Sequence, residues 1–169
     1  MTLATPVIRI SDVGGYEALF HAHFDGMVRF ASLLGADDAA DVAQEAFVRL
    51  HRRRHTLRDE AAALPYLRRT VANLTRSRQR HLGVVQRVLS RSTVEHHPSA
   101  EDSAVGADER NRVLLAIMRL PARQRELLVL RYWLDLTGPE IAATLGLPLG
   151  TVKSGTSRAL DALARLMET

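Results

Sequence analysis

Residues Ser92 to Asp108, STVEHHPSAEDSAVGAD, limit the possible folds more than any other stretch of this 169-residue chain. The segment is polar and acidic, holds Pro98 and Gly106, and sustains no helical period, so it reads as a linker. On either side of it, apolar residues return at helical spacing. A chain of this length can form one domain or two small ones, and the linker selects two. The composition is 46% apolar but only 5% aromatic, an alanine- and leucine-rich mixture suited to helix packing rather than to sheets. The expectation is an all-α chain of two helical domains joined by a flexible linker.

In the first half, YEALFHAHFDGMVRFASLLG places Leu19, Phe20, Phe24, Met27, Val28 and Ala31 on one helical face, and Gly35 suits a helix stop. The next segment, ADDAADVAQEAFVRLHRRRHTL, has Asp37 and Asp38 at its start and Arg52 to Arg54 at its end, which matches the helix dipole at both ends. Ala39, Val42, Ala46 and Leu50 form its apolar stripe, while Asp41, Gln44, Glu45 and Arg49 point elsewhere. A third helix is expected from about Leu64-Pro65, with the proline in its first turn. It carries Tyr66, Leu67, Thr70, Val71 and Leu74.

In the second half, Val113, Leu114, Ile117 and Leu120 repeat at helical spacing up to Pro121. PARQRELLVLRYWLDL then gives an apolar face through Leu127, Leu128, Leu130 and Trp133. In TGPEIAATLG, Thr137 and Glu140 have the spacing of a capping box, Pro139 falls in the first turn, and Gly146 suits a left-handed stop. A last helix from about Pro148 to Met167 is expected to bury Val152, Thr156, Ala159 and Leu163. Its outward residues are then Thr151, Lys153, Ser154, Ser157 and Arg158, with Gly155 among them. This is a helix-turn-helix pattern whose exposed side is small, polar and basic, as a helix in a DNA major groove requires.

The formal charge is only +4, but its distribution is uneven. Between Ala61 and Val94 there are seven arginines (Arg68, Arg69, Arg76, Arg78, Arg80, Arg87 and Arg91) and no Asp or Glu. Such a run, interleaved with apolar positions, suits a phosphate-facing surface. Asp41 and Glu45 lie one helical turn apart, without the histidine or glycine-rich loop that a metal site or acid–base pair would need, so a protein-contact face is expected. His21 and His23 point to different sides of a helix, and His96-His97 falls in the linker, so neither pair makes a zinc site. No nucleophile elbow, phosphate loop or dinucleotide fingerprint is present, and neither catalysis nor a cofactor is expected. There is no long uncharged apolar run and no signal-peptide pattern at the N-terminus. The absence of cysteine fits a cytoplasmic protein. These features leave a stand-alone helix-turn-helix regulator, with the first half as a dimerisation or ligand domain, beside a factor that acts within a larger assembly.

Four stretches in order resemble the extracytoplasmic-function (ECF) group of bacterial RNA polymerase sigma factors. YEALFHAHFDGMVRFASLLG and DVAQEAFVRLHRR resemble the first helices of sigma region 2. LPYLRRTVANLTRSRQR resembles its promoter-melting part, and LPARQRELLVLRYWLDLTGPEIAATLGLPLGTVKS resembles region 4. The resemblance implies an N-terminal extension over 1–15, region 2 over 16–91, the linker over 92–108 and region 4 over 109–169. It implies that core RNA polymerase binds at Asp41, Gln44, Glu45, Phe47 and Arg49, through the clamp helices of the largest subunit. It implies that Asn73, with Arg76, Arg78 and Arg80, captures the −10 strand and a flipped base. The helices from Val113 to Trp133 would meet the flap of the second-largest subunit, and Thr151, Lys153, Ser154, Ser157 and Arg158 would read the −35 element. An anti-sigma factor is a possible further partner. The family usually has arginine where this chain has Gly155 and an apolar residue where it has Thr156, so altered or weaker −35 contact is expected. With the chain ending at Thr169, no further C-terminal domain is expected.

Overall fold

The computed structural model describes residues 13–57, 60–89 and 106–168, and among these every regular element is helical. The expected extension over 1–15 and linker over 92–108 lie for the most part outside the described residues.

Helix α1, Val13–Leu33, buries Leu19, Met27, Phe30 and Ala31 and ends at Gly35, whose φ of 90° only glycine adopts without strain. Helix α2, Ala39–Arg53, buries Val42, Ala43, Ala46, Phe47 and Leu50. Phe47 was expected at a partner surface. It is only 1% exposed and sits among Tyr16, Phe20 and Phe24, with ring centroids 6.4, 5.0 and 5.9 Å away. An aromatic ring contributes far more when buried among others than on a wet surface, and here α1 supplies the aromatic neighbours. The Tyr16 hydroxyl donates to the Phe47 carbonyl oxygen at 3.0 Å and ties the same two helices.

Helix α3 spans Glu60–Leu89 and therefore starts before the expected Leu64-Pro65. Pro65 falls within the helix and removes one backbone donor near its start, yet the helix runs on, because Ala63, Leu67, Val71, Ala72 and Leu74 are buried behind it. The α3 side chain Gln79 donates from Nε2 to the Leu34 and Gly35 carbonyl oxygens, both at 3.0 Å. It thereby satisfies carbonyls that the end of α1 leaves free.

Helix α4, Gly106–Arg119, is followed by α5, Ala122–Leu128, which passes into a π-helical turn over Val129–Trp133. The Leu134 N–H reaches back five residues to the Val129 carbonyl at 3.2 Å. This wider turn shifts the helical register, so Trp133, expected on the apolar face, is 53% exposed. Helix α6, Gly138–Leu145, opens with the capping box expected from sequence: the Thr137 hydroxyl accepts from the Glu140 N–H, and Glu140 accepts from the Thr137 N–H at 2.8 Å. It closes at Gly146 with φ 66°. Helix α7, Leu149–Met167, buries Val152, Gly155 and Ala159.

The two helical domains are docked on each other. One continuous core runs from Leu19 and Phe47 through Leu67 and Val71 to Leu127, Ile141 and Val152, with α3 packed on α6. A smaller cluster, Leu120, Leu128 and Ala159, joins α4, α5 and α7.

Candidate nucleic-acid and protein interfaces

Helix α7 presents Thr151, Lys153, Ser154, Ser157 and Arg158 to solvent, all five exposed as the spacing predicts. The Arg158 Nε donates to the Ser154 carbonyl oxygen at 3.3 Å, which holds the guanidinium along the helix, and among the described residues it makes no salt bridge. Gly155 is not part of this face. It is buried, and a Cβ there would stand 2.7 Å from Leu127 Cδ1 of α5. Glycine allows α7 to approach α5 closely, which gives its presence a packing reason. Thr156, half-buried, donates its hydroxyl to the Val152 carbonyl oxygen at 2.8 Å, which satisfies the polar group within the helix.

On α2, Asp41, Gln44 and Arg49 are exposed and Glu45 is half-buried, while Val48 is 42% exposed. Glu45 is doubly engaged: one oxygen accepts from Arg49 at 2.6 Å and the other from Arg78 of α3 at 2.9 Å. Arg78 also pairs with Asp38 at the start of α2. Asp38 occupies the N-cap position without a side-chain cap bond, its carboxylate being turned to Arg78.

The arginine run of α3 has no acid of its own, and the fold brings carboxylates to it from elsewhere. Arg78 takes Asp38 and Glu45. Arg76 takes Glu126 of α5, through Nε at 3.0 Å and Nη2 at 2.9 Å. Glu126, 6% exposed in its side chain, accepts from Arg123 Nη1 at 3.0 Å on its other oxygen. Asn73 and Arg80 remain exposed on the same helix, and Arg80 holds no ion pair among the described residues. Arg125, beside Glu126, lies with its guanidinium against Gly35, and burial pushes its pKa below the usual arginine value. Sequence reasoning missed Glu126 because its partner lies fifty residues away, and spacing reports only on one element at a time.

A second feature absent from the sequence reading is an apolar groove of about 650 Å³ between α4 and the π-helical turn, lined by Val113, Leu114, Ile117, Val129, Tyr132 and Trp133, with Leu33 of α1 at its edge. Unusually for surface positions, Tyr132 and Trp133 are 62% and 53% exposed. The outward turn of these rings depends on the π-helical register, which helical periodicity does not anticipate. Among the described residues no cluster of three or more His, Asp or Glu side chains has the geometry to hold a metal ion, and no helix is long and apolar enough to cross a membrane.

Residues 19–85 match the model of sigma-70 region 2, and residues 110–163 match that of sigma-70 region 4. The chain thus carries two regions of a sigma-70 protein in order. Over 158 residues it is 34% identical to the RNA polymerase sigma-E factor of Streptomyces antibioticus, covering 91% of this chain and 85% of that one. It is likewise 34% identical over 165 residues to the ECF RNA polymerase sigma factor SigM of Mycobacterium tuberculosis, covering 90% and 76%. The fold resembles that of the sigma factor RpoE solved with the anti-sigma factor NepR from Bartonella quintana, with a TM-score of 0.76 and 23% identity over 93% of this chain and 99% of that one. It also resembles CnrH solved with the cytosolic domain of CnrY, with a TM-score of 0.68 and 21% identity over 94% and 92%. The chain belongs to the ECF group of RNA polymerase sigma factors, transcription initiation factors that direct the polymerase to promoters.

Proposed function

We propose that three separate faces of this sigma factor divide the work of initiation. The outward side of α2, with Asp41, Gln44, Glu45 and Arg49, meets the clamp helices of the polymerase largest subunit. The α3 segment around Asn73, with Arg76, Arg78 and Arg80, takes the −10 strand, the asparagine reading an unstacked base and the arginines following the phosphates. The outer side of α7 reads −35 DNA: Arg158 and Lys153 supply charge, and Thr151, Ser154 and Ser157 supply short donors. The exposed Tyr132 and Trp133 groove suits an apolar partner helix, and the polymerase flap fills that role when the holoenzyme forms. An anti-sigma protein is a further partner consistent with the fold. The factor works in the cytoplasm without a cofactor, and the chemistry of RNA synthesis belongs to the polymerase. The domains divide as 1–15, 16–91, 92–108 and 109–169.

The observation that carries this reading is the exposure of all five polar α7 positions on a helix whose other side is sealed by Val152, Gly155 and Ala159. Footprinting of the holoenzyme on a cognate promoter tests it. Arg158→Ala should weaken protection of the upstream element and reduce the salt dependence of binding by about one phosphate's worth. Unchanged upstream protection and salt slope would remove α7 from the duplex.

A further inference from the structure

Most of the outward side of α7 is polar, but its first residue is not. Leu149 opens the helix and is 40% exposed. One of its methyl groups rests on the start of α6: a Cβ at Gly138 would stand 3.0 Å from Leu149 Cδ1, closer than the about 3.5–4.0 Å that carbon atoms prefer. Glycine at 138 therefore gives the leucine a seat on α6. Gly150, the next residue, is exposed, and a Cβ there would meet nothing within 4 Å, so the helix start is open beside the leucine. The N-terminal residues of a recognition helix meet base edges, and the apolar group that the major groove displays is the C5 methyl of thymine. Thr151, Lys153, Ser154, Ser157 and Arg158 supply donors and charge, and none offers an apolar surface of this size. Leu160 is equally exposed, but it lies roughly 16 Å further along the helix, away from the end that reads bases.

We propose that Leu149 reads the methyl group of a thymine in the −35 element and that Gly138 positions it for this contact. This rests on the reading of α7 as the −35 helix, and it names the base that the start of α7 prefers. A thymine methyl against the leucine removes apolar surface from water on both sides, and cytosine has no such group to offer. A purine at the same place would set its N7 acceptor against a side chain with no donor, and the acceptor would lose its hydration without replacement. The seat on α6 restricts the leucine before the duplex arrives, so less side-chain freedom is lost on binding. Leu149 carries no charge, so it adds base preference without adding to the salt dependence that Lys153 and Arg158 bring.

The test uses holoenzyme assembled from core polymerase and the full chain, on a promoter that it selects in run-off transcription. Each thymine of the −35 element is replaced in turn by uracil, which keeps every hydrogen-bonding group and removes only the methyl. At one position uracil should weaken binding about fourfold, the factor that burial of one such carbon supplies. This change is made in the DNA and needs no protein variant. Leu149→Ala should bind the thymine and uracil duplexes nearly equally, with an unchanged salt slope and unchanged helical circular dichroism. Gly138→Ala should lower the thymine preference by crowding Leu149; an unchanged preference would overturn the positioning role of Gly138. A uracil effect that persists in Leu149→Ala would assign the methyl to another residue and overturn the role of Leu149. Uracil without effect at every −35 thymine, or an element with no thymine on either strand, would overturn the methyl contact alone, provided Arg158→Ala still weakens upstream protection. Unchanged upstream protection in Arg158→Ala would instead overturn the reading of α7, and this contact with it.

Discussion

Replacing Gly155 by alanine sets two effects against each other. Alanine in a helix interior is favoured over glycine by about 0.5–1 kcal/mol, because glycine loses more backbone freedom on folding. Against this, the new Cβ would stand 2.7 Å from Leu127 Cδ1, where carbon atoms prefer about 3.5–4.0 Å. Leu127 would have to retreat by roughly 1 Å at its tip. It is 2% exposed and packed into the core shared by both regions, so the retreat displaces other side chains. Overpacking of this kind costs about 1–3 kcal/mol. The overlap wins, and Gly155→Ala should destabilise the fold by about 1 kcal/mol, which lowers the melting temperature by about 2–4 °C for a chain of this size. The control is the same substitution after Leu127→Ala, where the clash is gone and the helix preference alone remains, giving a gain of about 0.5–1 kcal/mol. Thermal unfolding followed by circular dichroism reads all four proteins. Stabilisation by Gly155→Ala in the otherwise native chain would refute the argument, since it would mean that Leu127 yields freely and the close approach of α7 to α5 has no need of glycine. Gly155→Arg should destabilise more strongly still, without improving −35 contact.

Three further outcomes are expected. Phe47→Ala should cost about 3–5 kcal/mol in urea unfolding, whereas Val48→Ala, on the exposed side of the same helix, should change stability by less than about 0.5 kcal/mol. Asn73→Ala should reduce transcription from cognate promoters while core polymerase binding, measured by co-elution, stays intact; equal loss of both would count against the role given to Asn73. The Glu140 carboxyl is held below its ordinary 4.5 by the hydrogen bonds from the Thr137 side chain and backbone. A depressed value in the fold means that its stabilising effect is complete above the unfolded value and is lost as pH falls through the folded one. The acid limb of a pH–stability profile should therefore begin below about pH 4.5 and flatten in Glu140→Gln; identical limbs would show that the cap does not contribute.

Local chemistry was legible in the sequence wherever one element decides the outcome. The Thr137–Glu140 capping box, the left-handed Gly146, the stop at Gly35 and the five outward residues of α7 all stand where spacing placed them. What spacing could not report were the contacts between elements. Gly155 lies near the boundary between the buried and exposed sides of α7, and only the nearness of Leu127 assigns it to the buried one. Phe47 lies beside the outward positions of α2, and the aromatic residues of α1 draw it inward. The arginines of α3 form an acid-free run in sequence, yet Asp38, Glu45 and Glu126 reach two of them across space. Tyr132 and Trp133 turn outward because the helix widens at Val129, a change of register that no 3.6-residue period contains.

Run-off transcription with purified core polymerase freed of its own sigma factors, on a library of genomic promoter fragments, tests most directly whether this chain selects start sites. Addition of this chain should produce discrete transcripts from a restricted set of start sites, with little transcription from the bulk of the library. Transcript levels no higher than those of core polymerase alone, with the chain shown to be folded, would contradict start-site selection.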